Sequence, residues 1–242
     1  MDVENHKYFD EQNRVYQSTT TLIHSLFPEF ESDKISYFVA RKEMRNELGD
    51  EPPEECIQKR KQEVLKRWDD EKNRACLLGD VVHRYAECQL SNIPFDGECT
   101  TDQHIRYIKS LDRFLPSFLN EYEFAQAEKI IFSPTNMIAG TVDLIMKHKN
   151  SQQMVILDWK TNKEIKKFDK YDKTGNNFLE HLPNSNFWKY ALQLNVYRIM
   201  LHEEGYGNFY DSSMGLLHIN NKEVKGYEIP RMDWEAKKII HL

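Results

Sequence analysis

Two aspartates and one lysine, Asp143, Asp158 and Lys160, are the residues of this 242-residue chain best placed to perform chemistry. Asp158 and Lys160 end a continuous apolar run over residues 155–157, where a charged group needs a specific reason to occur. Two neighbouring carboxylates repel each other unless a proton or a cation lies between them. Their oxygens suit a hard divalent ion such as Mg²⁺ or Mn²⁺, and a nearby lysine can orient water or offset charge on a phosphate. The alternative is an edge hairpin with ordinary surface charges.

The spacing of the two aspartates predicts that they face each other. Residues 139–146, which contain Asp143, and residues 154–158, which end at Asp158, both have the pattern of short strands, and the turn-forming residues 149–151 lie between them. A hairpin symmetric about the Asn150–Ser151 bond would bring the two Cβ atoms to roughly 5 Å. Asp158 and Lys160 are two residues apart on one strand, so their side chains leave from the same face. The sequence therefore predicts one patch with two carboxylates and one ammonium.

A second group of residues is spaced by four along a predicted helix. Gly79, His83 and Glu87 share one helix face, and Gly79 would leave room for a ligand or another backbone. His83 could supply a nitrogen ligand to a metal, and Glu87 could support it. A single helical histidine is more often structural or solvated, so both interpretations stand.

The elements that must position these residues follow from hydrophobic periodicity. A first helix follows the hydroxyl residues 18–21, and further helices are predicted at about 33–48, 54–90, 105–119 and 187–203. Strands are predicted at 129–132, 139–146, 154–158 and 214–219. This order predicts an α/β fold with a mixed central β-sheet flanked by helices and a helical N-terminal region. We expect one domain over residues 1–242, helical to about 123, with the catalytic sheet core over about 124–220.

Composition narrows the class of protein. The hydrophobic fraction of 40% and the charged fraction of 30% are those of a globular protein with a solvated surface. The polar N-terminus has neither signal-peptide nor transit-peptide character, and no apolar run is long enough to span a membrane, so we expect an intracellular protein. The net charge is −6, but residues 59–67 and 159–173 are locally basic. Four scattered cysteines without a C-x-x-C pair indicate free thiols rather than disulfides.

Four short motifs together resemble a known family. They are Gly79-x-x-x-His83-x-x-x-Glu87, Gly140-x-x-Asp143, Asp158-x-Lys160 and Gln193-x-x-x-Tyr197. In order and approximate spacing they are similar to the PD-(D/E)XK nuclease superfamily, and more narrowly to its RecB-like exonuclease branch. The chain also resembles the small stand-alone members related to the mitochondrial genome maintenance exonuclease. Many phages and large DNA viruses encode similar proteins. The resemblance covers about residues 15 to 220.

This resemblance implies a restriction-endonuclease-like core and a set of roles. The metal ligands would be His83, Asp143, Asp158 and the backbone carbonyl of Trp159, and Lys160 would be the catalytic lysine. Gln193 and Tyr197 would hold DNA or position Lys160, although Tyr197 could equally be a core aromatic. Glu128 could support the site or be structural. Ser18 and Thr19 could bind a phosphate or simply cap a helix.

The resemblance further implies a metal-dependent DNA nuclease that uses Mg²⁺ or Mn²⁺. It would act as an exonuclease on single-stranded DNA or DNA ends, with replication or recombination proteins as possible partners. Lys163, Lys166 and Lys167 would line the path of the DNA, together with Arg41, Lys42 and the basic stretch 59–67. No cysteine follows Cys99, so an iron–sulfur cluster is not expected. The alternatives are a structure-specific or restriction-type endonuclease of the same fold, a non-catalytic nucleic-acid-binding module, and a metal-dependent enzyme with a different substrate.

Overall fold

The structure, a computed structural model, describes residues 7–242; the first six residues of the polar N-terminus lie outside the described part. The strands of the described part are β1 (Tyr8–Phe9), β2 (Val15–Ser18), β3 (Tyr122–Ser133), β4 (Ile138–His148), β5 (Met154–Lys160), β6 (Ser213–Ile219) and β7 (Val224–Glu228). The helices are α1 (Thr19–Ser25), α2 (Ser32–Leu48), α3 (Glu54–Ser91), α4 (Asp102–Glu121), α5 (Asn186–Glu203) and α6 (Asp233–Ile240), with a short 3₁₀ helix at Asn177–Leu179. No helix within residues 7–242 is long and apolar enough to cross a membrane.

The seven strands of the described part form one mixed sheet. Its order is β1-β2-β4-β5-β6-β7, and β3 pairs with β4. The β2–β4 and β5–β6 pairs are parallel, and the other pairs are antiparallel. The predicted α/β fold with a mixed central sheet is therefore confirmed. The N-terminal region, expected to be helical, also contributes strands β1 and β2.

Strand β4 is shared between two neighbours along one edge. Residues 138–139 of β4 pair with β2, and residues 144–147 pair with β5. Both stretches also pair with β3, so β2 and β5 must lie along the edge of β4 away from β3. Residues 140–143 pair with neither β2 nor β5. The sheet therefore has a four-residue gap on this edge, and the gap ends at Asp143.

Helix α5 covers the sheet. It contacts α1, α6 and strands β3, β5 and β6, so it is buried on nearly every side. This explains why its sequence is apolar around most of the helix rather than along one stripe. The main hydrophobic core joins α5 residues such as Leu192 and Val196 to sheet residues such as Val142 and Ile156.

The chain divides into two compact units, Met1–Pro28 with Gly79–Leu242 and, separately, Glu29–Leu78. The second unit has its own small core of Ala40, Met44, Ile57 and Val64. Much of the basic stretch 59–67 is neutralised inside this unit. Arg60 binds Glu43, Glu47 and Glu63, Lys61 binds Asp33, and Arg67 binds Glu43. These cations hold α2 against the first half of α3. The expectation of a single nuclease domain stays a prediction.

Candidate active site

Asp143 and Asp158 lie side by side at the gap in the β4 edge. Leu144 pairs with Leu157, so the same register places Asp143 opposite Asp158, as the symmetric hairpin predicts. The backbone N–H of Trp159 donates to Asp143 Oδ2 over 3.1 Å. Asp158 is only 3% exposed, and Lys160 Nζ lies 2.5 Å from its Oδ2. The two carboxylates and the ammonium therefore form one cluster.

Burial and mutual charge set the protonation of this cluster. Burial raises the pKa of Asp158 to about 6, and the Asp143 carboxylate adds to the rise while the Lys160 ammonium opposes it. Burial also raises the pKa of Asp143, against the opposing effects of Lys160 and the Trp159 N–H. For Lys160, burial alone would lower the pKa, but Asp158 and Asp143 outweigh it and raise the pKa above its ordinary value. Lys160 is consequently a fixed positive charge rather than a proton acceptor.

His83 extends from α3 toward the same cluster. Its Nδ1 lies 3.5 Å from Asp143 Oδ2, and its ring is within hydrogen-bonding reach of the Trp159 backbone. Burial and the Lys160 cation lower the pKa of His83 to about 4, so the imidazole is neutral at pH 7 and keeps a lone pair for a metal. One turn earlier, Gly79 faces Thr161 across the start of the loop after β5. One turn later, Glu87 binds Arg84 at 2.7 Å.

Glu128 on β3 completes an acidic group with His83 and Asp143. One ligand atom from each of these three residues lies within 4.8 Å of the other two. Glu128 has a backbone φ of 47°, an uncommon left-handed conformation for a strand residue with a side chain. Although it remains accessible to solvent, partial burial and the carboxylates of Asp143 and Glu87 raise its pKa to about 8. A strained backbone that adds a carboxylate to an acidic cluster favours the supporting role over the structural one.

The residues present fit a divalent cation. Ligand atoms on one hard ion lie at most roughly 4 to 5 Å apart, about twice the metal–oxygen distance, and the group of His83, Glu128 and Asp143 matches this span. The buried Oδ2 of Asp158 has no well-aligned hydrogen-bond donor within residues 7–242, only the close Lys160 ammonium. The Trp159 carbonyl also lies beside this group, because it is hydrogen-bonded to the His83 ring. A cation would relieve the repulsion among these carboxylates.

We therefore expect added Mg²⁺ or Mn²⁺ to raise the melting temperature of the protein by roughly 5 to 10 °C at saturating cation, since a ligand at a hundred times its Kd contributes about 2.7 kcal/mol. Asp143→Asn should lose most of this shift because it removes a ligand oxygen's charge. Glu164→Gln, at an exposed carboxylate on the following loop, should keep it. Differential scanning fluorimetry in matched EDTA and cation buffers measures both. An equal shift in Asp143→Asn would contradict this metal site.

Gln193 and Tyr197 on α5 form a polar link next to the gap. The Gln193 amide donates to Tyr197 Oη at 3.0 Å and to Thr20 Oγ1 at 3.2 Å. Gly140 of β4 lies directly under the Tyr197 ring, where a Cβ atom would come within 2.4 Å of Cε1. The Gln193 amide therefore has two hydrogen-bond partners within the protein. Tyr197 is only 2% exposed, so it is both a core aromatic and a neighbour of the acidic cluster.

The other residues predicted for the site are two hydroxyl residues near the N-terminus and three lysines after β5. Thr19 is fully buried and donates to the Ala139 carbonyl at 3.0 Å, so its hydroxyl serves the β2–β4 contact. Ser18 ends β2 and is buried, with no side-chain capping bond to α1. The predicted lysines follow β5 on an exposed loop: Lys163, Lys166, which binds Glu164 at 2.7 Å, and Lys167, whose ammonium lies 4.5 Å from the Phe187 ring centre.

Tyr190 on α5 is a site residue that sequence reasoning missed. The Lys160 ammonium lies over its ring, 4.6 Å from the ring centre. The Tyr190 hydroxyl donates to Asn162 Oδ1 at 2.9 Å, and His218 on β6 bonds the Asn162 backbone carbonyl at 2.6 Å. Asp158 and the Tyr190 ring thus hold the lysine between them. The available signal was its position three residues before Gln193 on a helix expected to face the site.

We expect Tyr190→Leu to lower kcat by roughly 2- to 30-fold with little change in KM, because a partly desolvated cation–π contact contributes about 0.5 to 2 kcal/mol. Tyr190→Phe keeps the ring and should retain most of the activity. Steady-state cleavage kinetics of both variants test the role. If the phenylalanine variant were as impaired as the leucine variant, the hydroxyl and not the ring would be the important group.

The fold and this cluster define the class: a mixed α/β protein with acidic residues and a histidine grouped, as a metal ion would require, at a gap in its sheet. The profile of the PD-(D/E)XK nuclease superfamily matches residues 11–239, and the chain belongs to that superfamily. Membership implies a metal-dependent nuclease that hydrolyses phosphodiesters and acts on DNA. Among curated proteins, none matches the chain.

Proposed function

We propose that this protein is a metal-dependent exonuclease that acts on single-stranded DNA or on DNA ends. The observation that carries the proposal is the assembly of Asp143, Asp158, Lys160 and His83 around one gap in the sheet edge. The narrower affiliation with the RecB-like and mitochondrial-type exonucleases rests on the motif spacing and is part of the proposal.

The residues divide the chemistry among themselves. His83, Glu128, Asp143 and Asp158 would hold a divalent cation, together with the Trp159 carbonyl, and this donor set suits Mn²⁺ as well as Mg²⁺. When bound, the cation polarises a phosphoryl oxygen and lowers the pKa of a water molecule. Lys160 is held by Asp158 and Tyr190 with its positive charge fixed, so it stabilises negative charge that develops on the phosphate.

Single-stranded substrate is supported by the loop that follows Lys160. Phe168 and Tyr171 are 78% and 72% exposed, and aromatic rings of this kind stack on unpaired bases. Lys163, Lys166 and Lys167 lie on the same loop and supply local positive charge to a chain whose net charge is −6. Gln193 would position the α5 side of the site through Tyr197 and Thr20.

The test is incubation of the protein with end-labelled linear single-stranded DNA, circular single-stranded DNA and duplex DNA, each with Mg²⁺, Mn²⁺ or EDTA. We expect cation-dependent loss of the linear strand from its end and an intact circle. Cutting of the circle would instead establish an endonuclease. Binding without cleavage in every metal would establish a non-catalytic binding module and overturn the proposal.

A further inference from the structure

Helix α2 presents a basic face with an exposed aromatic residue at its N-terminal end. Phe38, Arg41, Lys42 and Arg45 follow the spacing i, i+3, i+4 and i+7, so they lie on one side of the helix. Ser36, Ala40 and Met44 form the buried side. All four residues of the outer face are exposed, and Phe38 is 56% exposed. We call these four residues the α2 patch.

The cations of this patch differ from those of the neighbouring basic stretch. Arg60, Lys61 and Arg67 are bound by acidic residues of α2, as described above. Arg41 and Lys42 make no ion pair with any residue between 7 and 242, and Arg45 meets only Asp50, at 3.5 Å. Asp50 is 95% exposed, so this pair is weak. The patch therefore retains positive charge that the fold itself does not use.

The patch also has a concave shape. Phe38, Arg41, Lys42 and Arg45 line an open depression of about 560 Å³ together with Asn46 and Asp50. An exposed apolar ring in a basic depression gains free energy when a ligand removes it from water. Two guanidinium groups, one ammonium and one aromatic face are the groups that bind a phosphodiester backbone and stack on its bases.

We propose that the α2 patch binds single-stranded nucleic acid, with phosphates on Arg41, Lys42 and Arg45 and a base stacked on Phe38. The choice of nucleic acid rests on the proposed function, whereas the existence of a polyanion site rests on the patch alone. An acidic protein segment would satisfy the cations but not the ring. Duplex DNA would leave the ring unstacked, because its bases are paired and stacked on each other.

The test is equilibrium binding of a fluorescent oligodeoxythymidylate, followed by anisotropy in EDTA so that no cleavage occurs. Phe38→Ala should weaken binding roughly 5- to 150-fold, since one base–aromatic stack contributes about 1 to 3 kcal/mol. The double substitution Arg41→Gln and Lys42→Gln should reduce the slope of log affinity against log salt by about 1.4, or 0.7 for each lost phosphate contact. Duplex binding should respond to the double substitution but not to Phe38→Ala.

Matched controls lie elsewhere on the surface. Lys237→Gln with Lys238→Gln makes the same charge change on α6, and Leu48→Ala removes another exposed apolar side chain from α2. Both should bind as the unchanged protein does. Patch variants that match these controls would overturn the proposal. Failure of the unchanged protein to bind the oligonucleotide would also overturn it. A third contrary result would be a double substitution that weakens binding of polyglutamate and oligonucleotide equally while Phe38→Ala has no effect.

Hydrolysis of thymidine 5′-(p-nitrophenyl phosphate), a diester too small to span a binding surface, separates this proposal from the proposed function. The patch variants should hydrolyse it at the unchanged rate while their KM for long single strands rises. If the unchanged protein hydrolysed no diester yet bound the oligonucleotide through the patch, the exonuclease proposal would fail and the patch would stand.

Discussion

Substituting Asp158 with asparagine is expected to lower the rate of DNA cleavage by at least about 10³-fold, since one preorganised charged group in an active site contributes on the order of 10² to 10³ and this one also orients Lys160. Asparagine has the same size and fits the buried position, so the fold should persist. The negative charge that holds the Lys160 ammonium, and that we propose as a ligand of the cation, would be gone. Single-turnover cleavage of labelled DNA in Mg²⁺ and Mn²⁺ measures the loss.

Two controls test whether the loss of cleavage is specific to the site. Glu164→Gln removes an exposed carboxylate only six positions along the chain and should leave the rate nearly unchanged. Oligonucleotide binding in EDTA should be similar for the Asp158 variant and the unchanged protein, which shows that the fold is intact. Cation-dependent cleavage at a near-normal rate in the Asp158 variant would mean that the chemistry takes place elsewhere.

Substituting Gly140 with alanine is expected to destabilise the protein by about 2 to 3 kcal/mol, at the upper end of the cost of overpacking a core. The added Cβ would lie 2.4 Å from Tyr197 Cε1 and 2.6 Å from its Oη. The ring cannot easily move, because it is buried and its hydroxyl is held by Gln193. The melting temperature should fall by roughly 4 to 12 °C in a chain of this size.

Gly79, the other glycine of the motifs, provides a control for which no loss of stability is expected. At Gly79 a Cβ would meet only Thr161 Oγ1 at 3.5 Å, an ordinary contact. Alanine is favoured over glycine inside a helix by about 1 kcal/mol, so Gly79→Ala should be neutral or stabilising. Tyr197→Leu should partly restore stability to the Gly140→Ala protein, giving a non-additive double mutant. Similar thermal unfolding of the two alanine variants would show that the Tyr197 contact is not tight.

The β4–β5 hairpin could be predicted from the sequence because the residues that determine its register are close together in the chain. The apolar runs, the turn residues and the period of two fix which residues face each other, and Asp143 and Asp158 accordingly lie in register. The late helix was predictable for the same reason. The four-residue spacing of Gly79 and His83 likewise predicts one shared helix face, because a helix repeats nearly every four residues. In the structure Gly79 faces Thr161 and His83 faces Asp143.

What could not be predicted depends on contacts between distant parts of the chain. Strand β2 is four residues long and has no alternating pattern that distinguishes it from the start of a helix, and its partner in β4 is more than a hundred residues away. In the sequence Tyr190 has the pattern of a core aromatic, and only the structure shows that the Lys160 ammonium lies over its ring. The basic stretch 59–67 was expected to face DNA, but the acids of α2 that bind it cannot be identified from charge counts.

The position of β2 also bears on how the molecule is made. Strand β2 is synthesised more than a hundred residues before β4, the strand beside which it lies, so the β1–β2 hairpin can pair with the sheet only after β4 has been made. Until then Tyr8 and Tyr16, which end up buried against Ala139 and Phe132, remain uncovered. Thr20, directly after this hairpin, meets Gln193 only when that docking is complete. Strands β1 and β2 are therefore synthesised well before the residues against which they pack, and the contact between Thr20 and Gln193 forms only after both are in place.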